Sequence, residues 1–140
     1  MAIKNVFAET QQLKEQIENV SVDGLTAEMP RVEQGEVLLV DLREIQEVVD
    51  LGTIPGAKHV PRGMLEFWAD PASPYYRDYF VEDKRTILFC AGGGRSVYAT
   101  LALRDMGYQQ VAHLEVGFNG WQKAGQPVED VSATSKWVRR

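Results

Sequence analysis

Thr86-Ile87-Leu88-Phe89-Cys90-Ala91-Gly92-Gly93-Gly94-Arg95-Ser96 changes character twice within a short span. It begins as a continuous apolar run of strand length, of the kind that suits a parallel strand covered on both faces. A run of glycines follows. Beyond it, Val97, Leu101, Leu103 and Met106 support a helix over 96–106, closed by Gly107. Strand, glycine loop and helix in this order form an α/β joint. Cys90 then sits at the carboxyl end of the strand, where open α/β sheets hold their ligands.

The pattern continues outward on both sides. Val37-Leu38-Leu39-Val40 is a second apolar run, ending in Asp41, and residues 111–114 form a third short strand. Gly52-Thr53-Ile54-Pro55-Gly56-Ala57 reads as a turn leading into a short strand at 59–60. Helices are expected over 44–51, 65–68 and 117–123, the last ended by Gly125. Leu13, Ile17 and Val20 fall at i, i+4 and i+7, which predicts a helix with a narrow apolar face over 7–20. Ser21 can cap a second helix through Leu25 and Met29, which Pro30 disturbs or ends. In the aromatic segment 61–80, Trp68, Tyr75, Tyr76, Tyr79 and Phe80 form either a rim over the cleft or the packing of an insertion. Strands alternate with helices, so the class is α/β, with a mainly parallel central sheet flanked by helices on both faces. The organisation expected is a helical extension at 1–19, one domain at 20–130 and a tail at 131–140.

Bulk properties exclude several classes. A chain of 140 residues with 44% hydrophobic residues can build one independent core. Fifteen Lys and Arg against twenty Asp and Glu, a net charge of −5, argue against nucleic acid as a partner, because phosphate binding needs a concentrated basic face. Lys136-Trp137-Val138-Arg139-Arg140 is a local exception and reads as a solvated tail. The amino-terminal residues lack an apolar signal core, and no apolar run is long enough to cross a bilayer, so neither secretion nor a membrane partner is expected. The single cysteine cannot form an intrachain disulfide and is compatible with a reducing cytoplasm, the expected location.

That lone thiol is either a small apolar residue ending a strand or a reactive centre. Three glycines and an arginine behind it are poor choices for a purely structural joint. Glycines at 92, 93 and 94 let successive backbone N–H groups turn inward, and the positive end of the following helix points to the same place. These donors favour a nucleophilic thiolate. Arg95 adds a planar cation suited to sulfonate or carboxylate oxygens.

Four stretches in register carry a family resemblance. They are Val37-Leu38-Leu39-Val40-Asp41-Leu42-Arg43-Glu44; Gly52-Thr53-Ile54-Pro55-Gly56-Ala57-Lys58-His59-Val60-Pro61; Cys90-Ala91-Gly92-Gly93-Gly94-Arg95-Ser96; and Gly117-Phe118-Asn119-Gly120-Trp121 with Gly125-Gln126-Pro127. Over roughly residues 20–128 the chain resembles the small single-domain rhodanese sulfurtransferases. The resemblance implies a rhodanese-like fold. It also implies that Cys90 takes the outer sulfur of a donor such as thiosulfate, holds it as a persulfide and yields it to cyanide or a thiol.

No metal or organic cofactor is implied. Ala91, Gly92, Gly93, Gly94, Arg95 and Ser96 would bind substrate, Ser96 also capping its helix. Arg62 would add positive potential for an anionic donor. Asp41 and Arg43 either position the loop or form a structural salt bridge, and His59 and His113 support the fold. Four residues separate Cys90 from Arg95. That is the C-x4-R form of sulfur transfer, one residue shorter than the C-x5-R loop of related phosphatases and arsenate reductases. The rival reading is a module that binds a partner or relays a persulfide to a dedicated protein. The first helix lies outside the resemblance. It is expected to pack back on the domain, the alternative being a partner or dimer surface.

Overall fold

The computed structural model describes residues 2–134, and the basic stretch at 136–140 lies outside them. In chain order the elements are α1 (Val6–Leu13), β1 (Glu18–Val20), α2 (Val22–Glu33), β2 (Val37–Asp41), α3 (Ile45–Leu51), β3 (Lys58–His59), α4 (Leu65–Ala69), β4 (Arg85–Phe89), α5 (Arg95–Met106), β5 (Val111–Leu114) and α6 (Gly117–Lys123). The strands form one parallel sheet in the order β1-β5-β4-β2-β3.

Alternation along the central strands builds two cores. Val37, Leu39, Ile87 and Phe89 face Leu25 and Val32 of α2 and Phe118 and Trp121 of α6. Leu38, Val40 and Leu88 face Leu65 and Ala69 of α4 and Ala99 and Leu103 of α5. The sheet is thus covered on both faces, as its unbroken apolar strands require. Gly107 closes α5 in the left-handed region (φ 111°). Among the described residues no helix is long and apolar enough to cross a membrane.

Two expectations are corrected and one open alternative is resolved. The helix predicted over 7–20 stops at Leu13. A 3₁₀ turn, Lys14–Gln16, follows, and β1 then pairs with the open edge of β5, so the sheet takes in Glu18 and Asn19 from the segment assigned to a helical extension. The Asn19 side chain donates to Lys14 O (2.8 Å) and Ile17 O (3.2 Å), satisfying carbonyls where the helix ends. The apolar spacing of Leu13, Ile17 and Val20 survives, but sheet pairing overrides it. Pro30 does not end α2, which runs on to Glu33. Ser21 does cap α2, accepting from Gly24 N–H at 3.0 Å. Finally, Phe80 is buried and Trp68, Tyr76 and Tyr79 pack against the same core, with Phe80 edge-on to Tyr108. Apart from the exposed Phe67 and Tyr75, the aromatic segment is packing, and none of it lines the Cys90 cavity.

Candidate active site

Cys90 follows β4 directly, and its backbone is fixed by a helix that comes later in the chain. Phe118 N–H donates to Cys90 O (2.8 Å) and Asn119 N–H donates to Ala91 O (3.0 Å), so α6 holds two successive carbonyls of the loop. On the sulfur side, Gly93 N–H donates to Cys90 Sγ at 3.2 Å. Two glycines are sterically required. Gly93 has φ +99°, and a Cβ there would stand 2.2 Å from Glu115 O. Gly117 has φ +65°, and its Cβ would meet Ala91 O at 2.4 Å. Gly92 and Gly94 differ: a Cβ on either meets nothing within 4 Å. Both line the cavity beside Cys90.

Behind the thiol a chain of polar groups runs from buried Ser96 and His113 out to exposed Asn19. Cys90 Sγ is 3.6 Å from Ser96 Oγ, and Ser96 Oγ is 2.8 Å from His113 Nδ1. His113 Nε2 is in turn 2.7 Å from Asn19 Oδ1. The Asn19 amide spends its N–H groups on Lys14 O and Ile17 O, so its oxygen accepts from His113 Nε2–H. Nδ1 of the neutral ring then accepts from the Ser96 hydroxyl. Burial, with a smaller push from Lys14, lowers the His113 pKa to about 4, so the ring is neutral near pH 7. Ser96 is therefore not the helix cap. The cap position is Gly94, α5 opens at Arg95, and Ser96 lies buried inside the first turn.

Arg95 reaches Glu47 of α3 at two points, Nη1 to Oε2 at 2.9 Å and Nη2 to Oε1 at 3.0 Å. This hydrogen bonding holds the Glu47 pKa below the ordinary carboxylate value and raises that of Arg95. Arg62, expected to add positive potential, pairs with Glu66 at 2.8 Å and is not among the residues lining the Cys90 cavity.

Asp41 and Arg43 form a buried ion pair, Nε to Oδ1 at 3.0 Å and Nη2 to Oδ2 at 2.8 Å, reinforced by Thr53 Oγ1 donating to Asp41 at 2.8 Å. Arg43 Nη2 also donates to Gly52 O (2.6 Å). Arg43 Nη1 has no hydrogen-bond partner among the described residues, and the guanidinium lies over the Phe118 ring, 4.1 Å from its centre. The pair is a structural bridge, and its guanidinium lies over the ring of the residue whose N–H holds Cys90 O. His59 Nε2 meets Arg43 O at 2.7 Å, a supporting contact.

A cavity of about 430 Å³ opens onto Cys90. One wall is the loop, with Gly92, Gly93, Gly94 and Arg95. Facing it are Val6, Phe7, Thr10 and Gln11 of α1, together with Lys14 and Tyr98. The first helix thus packs back onto the domain, over the Cys90 loop. Sequence reasoning missed these wall residues, and it missed Glu47 and Asn19. The narrow apolar face of the first helix was a signal that it covers something, but nothing in it named the loop.

A strand-end cysteine in a glycine loop on a five-stranded parallel sheet defines the class, and comparison agrees. The family described as Rhodanese-like domain matches residues 28–124, and the chain belongs to it. The chain is 39% identical to a Rhodopseudomonas palustris protein of unknown function described as a possible tyrosine phosphatase. Their structures agree with a TM-score of 0.84 over 92% of this chain and 97% of that one. Thiosulfate sulfurtransferase from Pseudomonas aeruginosa is 27% identical, with a TM-score of 0.70 over 89% of this chain and 22% of that one. An uncharacterized Synechocystis protein is 34% identical over 109 residues, 78% of this chain. The chain spans about half, 55%, of that relative's length.

Proposed function

We propose that the protein is a sulfurtransferase in which Cys90 carries sulfane sulfur as a persulfide. The observation carrying this reading is the sulfur itself: it ends β4 inside a four-residue loop, accepts an N–H from Gly93 at 3.2 Å and faces an open cavity. The thiolate attacks the outer sulfur of a donor such as thiosulfate. The donor S–S bond breaks, sulfite leaves with its electron pair, and Cys90 retains the transferred sulfur as Cys–S–S⁻. Attack by cyanide or a thiolate on that outer sulfur regenerates the Cys90 thiolate. Gly93 N–H supplies a fixed dipole to the negative charge carried at each stage.

The description of the Rhodopseudomonas relative raises phosphatase chemistry. A phosphoryl group needs an arginine free for its oxygens, whereas Arg95 is bound to Glu47 at two points. The short loop and this pairing favour sulfur. The test is to incubate the protein with thiosulfate and weigh it intact. One added sulfur atom is expected, removed by cyanide and absent in Cys90→Ser, with no hydrolysis of an aryl phosphate. Aryl phosphate turnover without a sulfur adduct overturns the proposal.

A further inference from the structure

The cavity is poorly matched to a small inorganic dianion. Its arginine is already neutralised by Glu47 at 2.9 and 3.0 Å. The wall opposite the loop is organic in character, with Val6 and Phe7 of α1 and the ring of Tyr98 of α5. The volume of about 430 Å³ falls in the range of roughly 300–1,000 Å³ typical of pockets for organic ligands. Thiosulfate would leave most of it filled with water against apolar side chains.

The wall is also fixed in place. Tyr98 OH donates to Glu9 Oε1 (2.5 Å), Lys4 Nζ donates to the same oxygen (2.9 Å), and Arg104 Nη1 donates to Gln16 O (2.5 Å), so α1 and the turn after it are tied to α5 at both ends. Glu9, held below the ordinary carboxylate pKa by Tyr98 and Lys4, stays ionised to keep the tie. All of α1 precedes residue 28, where the family match begins. The α1 side of the wall therefore lies outside the residues of the family match, while Tyr98 lies within them.

We infer that the donor is an organic sulfane, R–SO₂–S⁻ or R–S–S⁻, whose apolar R group lies against Val6, Phe7 and Tyr98. The inference rests on the persulfide chemistry proposed for Cys90 and names the substrate class of that site. In the thiosulfonate case the Cys90 thiolate attacks the terminal sulfur, the S–S bond breaks, and the sulfinate R–SO₂⁻ leaves with the electron pair. Lys14, whose ammonium stands 3.8 Å from Glu115 rather than in a close ion pair, is the lining cation placed to meet that leaving anion.

Benzenethiosulfonate and methanethiosulfonate share the reacting group and differ in R, so they isolate the wall. With cyanide as acceptor, and each rate divided by that of the same donor with a free thiol, kcat/KM for the benzene donor should exceed that for the methane donor about tenfold or more, the scale expected for burying a ring. Phe7→Ala should cut this preference several-fold. Phe7 is 79% exposed, so the variant should fold, as its melting curve would verify. Val6→Ser is a second, independent change to the wall and should act in the same direction. Equal kcat/KM for the two donors, or a preference unchanged in both variants, overturns the inference while leaving a thiosulfate-derived persulfide standing. Absence of a Cys90 sulfur adduct with thiosulfate and with both thiosulfonates overturns the sulfurtransferase reading itself.

Discussion

Glu47 and Arg95 join the first turn of α3 to the first residue of α5 through a two-point ion pair, 2.9 and 3.0 Å long. A cation at a helix N-terminus is unfavourable against the helix dipole, and the Glu47 carboxylate offsets it. Glu47 also accepts Glu44 N–H at 2.8 Å in a capping box. Glu47→Gln keeps that cap but removes the charge, releasing Arg95 toward the loop. The KM for thiosulfate should fall several-fold, and the gain should fade as salt screens the freed cation. An unchanged KM across a salt series would put Arg95 out of reach of the donor.

Gly93→Ala places a side chain at φ +99° and against Glu115 O. The left-handed backbone alone should cost about 1–3 kcal/mol, and the displaced N–H should slow persulfide formation at least tenfold. In Gly92→Ala the new methyl meets nothing, so urea denaturation should detect little change. The contrast between two neighbouring glycines is the measurement; equal destabilisation by both would refute the assigned geometry.

His113, with its pKa lowered to about 4 from 6.5, makes stability depend on pH. The folded ring resists a proton that the unfolded ring binds below pH 6.5, so the unfolded state gains protons first as pH falls. Stability should be full above pH 6.5 and decline toward pH 4, by roughly 3 kcal/mol if His113 acts alone. Urea midpoints measured across that window should slope, and the slope should flatten in His113→Gln.

Asp41→Ala leaves the Arg43 guanidinium buried without its carboxylate. Breaking such a pair should cost about 3–5 kcal/mol. Because Arg43 lies over Phe118, which holds Cys90 O, the variant should also form persulfide more slowly at temperatures where it remains folded. Calorimetry with a parallel mass assay separates the two effects.

The α/β joint at 86–106 was legible because each part of it is local: an apolar strand, glycines, and a helix with its closing Gly107. Asp41 and Arg43 were legible as a pair because they are two residues apart at a strand end. β1 was not, since an edge strand with two of three residues exposed has no alternating signature, and its partner β5 lies at the other end of the sequence. Glu47 was equally hidden, its link to Arg95 being a product of packing. Ser96 illustrates a subtler miss. Its position near a helix start suggested a cap, but the helix begins one residue earlier and the hydroxyl turns inward to His113.

Cys90 O and Ala91 O are held by Phe118 and Asn119, and Gly93 fits against Glu115. During synthesis the loop therefore leaves the ribosome before the residues that shape it. The thiol should behave as an ordinary cysteine on nascent chains arrested ahead of α6 and acquire its special environment only when the last strand and helix arrive. Reactivity would thus report completion of the fold, which keeps the shaped thiol from being displayed on a half-built protein.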